Sequence, residues 1–225
     1  MPDGLAPEAN PSEIDPREGE SGDSETRAHL LLVAETLFAL RGFRNVSVRE
    51  ITAEAGVNLA SVNYHFGSRD RLLFEIFRRR TGELSRERAR RLHEAQGRAS
   101  GPPPVRDILE ALFAPPLRWA ESEDRRISMQ FILRARSEGT EEMRQALAQD
   151  VSLLSRFADA LVEARPDLPR ETVYWRLHFC LGMIHNNRFA EFDRLHALSD
   201  GETRRATSAD LLSRMLDFAE AGFLA

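Results

Sequence analysis

The chain has 225 residues, 42% apolar and 30% charged, which is the balance of a globular protein able to bury a real core. Its single cysteine, Cys180, excludes an internal disulfide framework and a cysteine-rich zinc site, and no apolar run reaches the ~18 residues of a membrane span. The net charge of −5 hides an asymmetry: 1–25 hold eight acids and one arginine, 26–91 thirteen arginines and seven acids, and 92–225 seventeen arginines and twenty-one acids. A basic segment followed by an acidic body points to one part that meets a polyanion and another with a separate task. The acidic N-terminus offers no apolar stretch for a secretory signal, so the expected location is cytoplasmic.

Residues 1–24, rich in Pro, Gly, Glu, Asp and Ser, predict a disordered acidic arm. From 26 to 41 the apolar residues fall at 30, 33, 34, 37, 38 and 40, a helical period that Gly42 ends. A short helix is predicted over 48–55, where Ser47 and Glu50 form a capping box. Gly56 breaks the chain, and a third helix follows over 59–65, capped by Asn58. A long helix over 69–95 leads to a Gly- and Pro-rich linker at 97–104. Further helices are predicted over 105–121, with a kink or break at Pro115-Pro116, and over 124–137, 140–164, 170–195 and 206–222. No stretch alternates like a strand and no fixed repeat appears. The fold class is all-α, with an N-terminal helix-turn-helix domain over 25–70 and a larger helical bundle over 71–225.

Two short helices joined at Ala55-Gly56-Val57, with Ile51 and Val62 to lock them, have the layout of a helix-turn-helix whose second helix enters the major groove. Its exposed face carries Leu59, Ala60, Asn63 and Tyr64, with Ser61 near the start. Arg49, Arg69, hydroxyls and helix N-termini supply phosphate contacts. A plain three-helix packing unit with a polar face would show a similar pattern.

The segments Thr26-Arg27, Leu37-Phe38, Gly42-Phe43, Ser47 to Ile51, Ala55-Gly56-Val57 and Asn58 to Arg69 resemble, in order, the TetR family of bacterial transcriptional regulators. The resemblance covers residues 26–75 and implies a homodimer that reads a palindromic operator in double-stranded DNA and is released by a small molecule bound in a C-terminal domain. It assigns DNA contact to Ser47, Arg49, Leu59, Ala60 and Asn63, with Asn58 at the helix start. Ser61, Tyr64 and His65 contact phosphate or hold the helix end. For His65, DNA contact and helix-end packing stay equally open. Arg69 stands where the family usually has Lys. The Asn-Leu-Ala-Ser-Val-Asn-Tyr-His-Phe version resembles a subgroup in which some members answer to fatty acids or acyl thioesters.

The helix over 170–195 is apolar nearly all round, so it is expected to be buried on several faces. With 206–222 it is expected to build a four-helix interface between two copies. Candidate walls of an apolar ligand pocket are Phe113, Leu117, Met129, Phe131, Phe157, Trp175, Phe179 and Met183, with His178 and Asn186 as polar contacts. Taken singly, each of these residues fits an ordinary core better than a pocket wall. His178 and His185 are two turns apart, too far to share a metal easily, and no cofactor motif or catalytic constellation is visible. The expected function is a ligand-responsive repressor that is not an enzyme, in which the helix over 69–95 tilts the reader when ligand binds. An activator with the same reader and a helical adaptor that ignores DNA are the alternatives.

Overall fold

The computed structural model describes residues 16–149, 151–186, 191–203 and 206–225. Among them are eleven α-helices, one 3₁₀ turn and no strand. The first helix, α1, runs Pro16–Arg41 and starts ten residues earlier than the apolar period indicates. Proline is well placed in a first helical turn, where its missing N–H is not needed. The arm expected over 1–24 therefore loses residues 16–24 to helix; residues 1–15 lie outside the described part.

A 3₁₀ turn, Phe43–Asn45, follows Gly42, whose φ of 92° is a conformation that side-chain-bearing residues rarely adopt. Helices α2 (Val48–Ala55), α3 (Ala60–Phe66) and α4 (Arg69–Arg98) complete the N-terminal unit. Its core joins Leu30, Phe38, Ile51, Val62, Leu72 and Ile76. The start of α4 is thus part of this unit, and its far end places Leu92 in the second core.

The body consists of α5 (Val105–Glu121), α6 (Arg126–Glu138), α7 (Glu141–Gln149), α8 (Ser152–Ala164), α9 (Arg170–Asn186), α10 (Glu191–Leu198) and α11 (Ser208–Leu224). Its core centres on α5, with Ile108, Leu112 and Phe113 packed against Phe157, Leu161, Val173 and Phe223. One long helix expected from sequence is broken. The stretch 140–164 divides into α7 and α8 because its halves serve different cores: Met143 belongs with the N-terminal unit and Phe157 with the body. Within the stretch 170–195 the described residues form α9 and the start of α10, and 187–190 lie outside the described residues.

The helix α5 continues through Pro115-Pro116 where a kink or break was expected. Pro116 has no N–H for the Leu112 carbonyl four residues back. Arg88 of α4 supplies the donor instead, with its Nε 3.0 Å from that oxygen.

The body also grips the N-terminal unit directly. From α6, Arg134 donates to the carbonyls of Ala39 (2.6 Å) and Leu40 (3.2 Å) at the C-terminus of α1. Glu138 accepts the Phe43 N–H at 2.8 Å and pairs with Arg134 at 2.6 Å. Phe131, one face of the same helix, sits 5.0 Å from the Phe43 ring.

Candidate nucleic-acid interface and effector cavity

The reader is built from local chemistry. The Ser47 Oγ accepts the Glu50 N–H at 3.3 Å and donates to the Glu50 carboxylate at 2.8 Å, which also accepts the Ser47 N–H at 2.8 Å. These donors from Ser47 hold the Glu50 carboxyl below its ordinary pKa. Gly56 has φ 66° and ends α2 in the left-handed region, and Val57 N–H returns to Thr52 O at 3.0 Å. Asn58 Oδ1 then accepts the Ala60 N–H at 2.9 Å and starts α3. Ile51 and Val62 are fully buried between the two helices.

This packing leaves an outward face. Asn58, Leu59, Ala60, Asn63 and Tyr64 are exposed, Tyr64 at 77%, and Ser61 is half-buried. Ser47 and Arg49 are exposed on α2. Two other candidates face inward. The His65 side chain is only 5% exposed, with Nε2 3.7 Å from Asp23 and its ring against Tyr64 and Phe66. Its geometry is that of a packing residue at the helix end. Arg69 gives Nε to the Val46 carbonyl at 2.6 Å, Nη2 to the Phe43 carbonyl and Nη1 to Asp70, and its guanidinium lies over the Phe38 ring. All three guanidinium nitrogens hold the protein, so Arg69 clamps the α1–α2 connection and has little left for phosphate.

Sequence reasoning missed Arg44 and Arg71. Both are exposed beside this face, and neither has an ion pair among the described residues. Arg27 and Arg41, in contrast, are held by Glu75 and Glu50. The distinguishing signal is the absence of a carboxylate within ion-pair distance, which sequence does not display for residues outside a helix.

In the body, a cavity of about 320 Å³ lies among α5, α6, α9 and α11, lined by Leu117, Met129, Gln130, Leu133, Arg134, Ser137, Glu138 and Leu211 among others. A smaller space of about 90 Å³ shares Pro116, Met129, Leu133 and Ile184 with it and reaches Arg88 and Arg136. Of the ten residues expected to form a ligand site, Leu117 and Met129 line this space. Phe113 and Phe157 are fully buried in the body core, Met183 packs half-buried against it, and Phe131 lies in the N-terminal core. Trp175, His178 and Phe179 lie on the surface, with Trp175 55% and Phe179 62% exposed. The Asn186 side chain is outside the described part. Among the described residues there is no cluster of potential metal ligands and no helix long and apolar enough to cross a membrane. Cys180 is buried, and burial pushes its thiol up to about 11, so it is un-ionised at neutral pH.

A two-helix reader with an outward recognition face, carried by a helical body with its own cavity, defines a helix-turn-helix DNA-binding regulator. Residues 30–76 match the family described as bacterial regulatory proteins, tetR family, and 110–222 match the tetracyclin repressor-like C-terminal domain. The chain belongs to the TetR family of transcriptional regulators, which are DNA-binding proteins and not enzymes. It is 43% identical over 63 residues to the HTH-type transcriptional repressor KstR2 of Rhodococcus jostii (strain RHA1). That stretch is 28% of this chain and 31% of the relative, so the match spans about a third of the relative's length. Among solved structures, superantigen PfiT superposes with TM-score 0.60 at 20% identity, covering 88% of this chain and 94% of that one. A putative tetR family regulator from Shewanella sp. PV-4 gives 0.58 at 18% identity over 87% and 96%. A putative transcriptional regulator from Saccharomonospora viridis in complex with choline gives 0.58 at 21% identity over 88% and 96%. At these identities the superpositions establish the fold.

Proposed function

We propose that two copies of the chain bind a palindromic operator and repress transcription until a small, largely apolar effector enters the body. The reader spans 25–70 and the effector and pairing domain 71–225. Ser47, Arg49, Asn58, Leu59, Ala60, Ser61, Asn63 and Tyr64 meet DNA, and a fatty acid or acyl thioester fits the mainly apolar lining of the cavity. Repression agrees with the activity in the name of the Rhodococcus relative.

One observation carries the allosteric part. Arg134 and Glu138 line the cavity and at the same time hold the end of α1 and the Phe43 N–H. A ligand that shifts α6 therefore moves the reader through hydrogen bonds, and α4, common to both cores, carries the same motion. A tilt takes two paired recognition helices off the ~34–36 Å spacing of successive major-groove faces. A coupling of about 1–3 kcal/mol changes affinity 5- to 150-fold.

The test is selection of bound duplexes from a random pool by the purified chain. The expected product is a palindrome whose half-sites lie one helical turn or a multiple apart, bound with a steep salt dependence. Indifference to every duplex at low salt would overturn the reading.

A further inference from the structure

The smaller space that borders the cavity has a basic wall. Arg88, on α4, lines it with Arg136 of α6, and Ser85 lies on the same wall. Arg88 uses Nε on the Leu112 carbonyl that Pro116 leaves open, so its position is fixed by the backbone of α5. Neither arginine forms an ion pair with a carboxylate among the described residues. The carboxylate next in sequence, Glu87, is bonded by Trp119 Nε1 at 2.7 Å and Arg91 Nε at 3.2 Å and reaches Arg88 only through its charge.

Two like charges at one end of a small space, one of them deep, are costly unless an anion joins them. Desolvation, helped by the charge of Arg136, lowers the Arg88 pKa to about 10, and burial also lowers that of Arg136. Arg88 still carries its proton at neutral pH, so the charge remains. The adjoining cavity is lined by Leu117, Ala120, Met129 and Leu133, and its own arginine, Arg134, is already taken by Glu138 and the Ala39 and Leu40 carbonyls.

We infer that Arg88 and Arg136 seat the carboxylate of an amphipathic acid whose apolar chain lies along Leu117, Met129 and Leu133. This rests on reading the cavity as the effector site and adds the chemical class: a free medium-chain acid. A planar guanidinium matches a carboxylate by paired N–H donors. An acyl thioester presents a neutral carbonyl there and gains less from the two charges. Arg88, fixed to α5 and carried by α4, and Arg136, carried by α6, are then drawn together by the same anion. The ligand thereby ties together the two helices that reach the reader.

The probes are octanoate, 1-octanol and octanoyl-coenzyme A, titrated calorimetrically into the full-length protein. Octanoate is expected to bind at least tenfold more tightly than octanol. Arg136→Gln, a change at an exposed position, is expected to erase most of that preference and leave octanol affinity unaltered. Arg88→Met is expected to do the same, with Arg88→Lys retaining part of the preference; Arg136→Gln keeps the test valid if the Arg88 variants fail to fold. Equal affinity for octanoate and octanol overturns the anion seat and leaves the cavity as an effector site. So does a thioester that binds tighter than octanoate irrespective of Arg136. Failure of all three probes to bind overturns both the seat and the cavity reading.

Discussion

Arg49 and Arg69 differ in what their guanidinium groups have left to offer. Arg49 is exposed and free of ion pairs among the described residues, whereas Arg69 spends its nitrogens on Val46, Phe43 and Asp70. Arg49→Ala is therefore expected to reduce the salt slope of operator binding by about one and leave stability within about 0.5 kcal/mol. Tyr64→Ala, at a position 77% exposed, is expected to weaken binding with an equally small effect on stability. Arg69→Met is expected to do the reverse: a loss of about 2–3 kcal/mol in denaturant titration, because charge-assisted bonds to two carbonyls vanish, with the salt slope kept. A lost salt slope in Arg69→Met at unchanged stability would return Arg69 to the phosphate contacts. Ser47, Gly56 and Asn58 were legible in the sequence because their partners lie within five residues. The inward turn of Arg69 was not, since Phe43 and Val46 lie more than twenty residues away and are reached only through the fold.

At the scale of elements, α6 has two working faces. Met129 and Leu133 line the cavity, Phe131 packs into the core of the reader, and Arg134 and Glu138 border both. Burial would raise the Glu138 pKa, but the Phe43 N–H and the Arg134 guanidinium outweigh it and the net shift is downward from 4.5. A carboxyl lowered on folding adds stability that is complete above its unfolded pKa and is lost as pH falls through its folded one. Arg134→Ala is expected to cost about 2 kcal/mol at pH 7 through the loss of bonds to Ala39 and Leu40. In urea titrations between pH 7 and pH 3 the gap between the variant and the parent chain is expected to narrow, as protonation of Glu138 removes its charge from the pair. A gap that is constant with pH would mean that Arg134 acts on the α1 carbonyls alone. Helical periodicity revealed α6 as an element but not that its faces are divided. The break between α7 and α8 was hidden for a related reason: Gln149 to Ser152 contain no Gly or Pro, and only the separation of two cores demands it. The space borders Leu117, Met129 and Leu133, whereas the expected rings lie apart from it, Phe113, Phe131 and Phe157 in the cores and Trp175 and Phe179 on the surface.

For the whole molecule, the surface of α9 and α11 carries more apolar area than a lone copy in water favours. Trp175 and Phe179 stack with ring centroids 6.0 Å apart and are both more than half exposed; Phe218 is 75% and Leu224 65% exposed. The two helices pack on each other, and the proposed pairing of two copies would use this patch in an isologous contact in which each offers the same residues. The apolar character of 170–195 was legible in the sequence, but which part faces the core was not: Val173, Leu177 and Cys180 turn inward and the rings outward. Trp175→Arg places a charge in this patch, with only the exposed Glu171 one turn away to meet it, and leaves the body core untouched. By sedimentation the variant is expected to have the mass of one chain at micromolar concentration, with unchanged helicity. Its operator binding should weaken at least tenfold, and its salt slope should fall to about half, because one reader touches half the phosphates. A single-chain variant with an undiminished slope would show that one copy makes all the contacts, and a variant that stays paired would place the interface elsewhere.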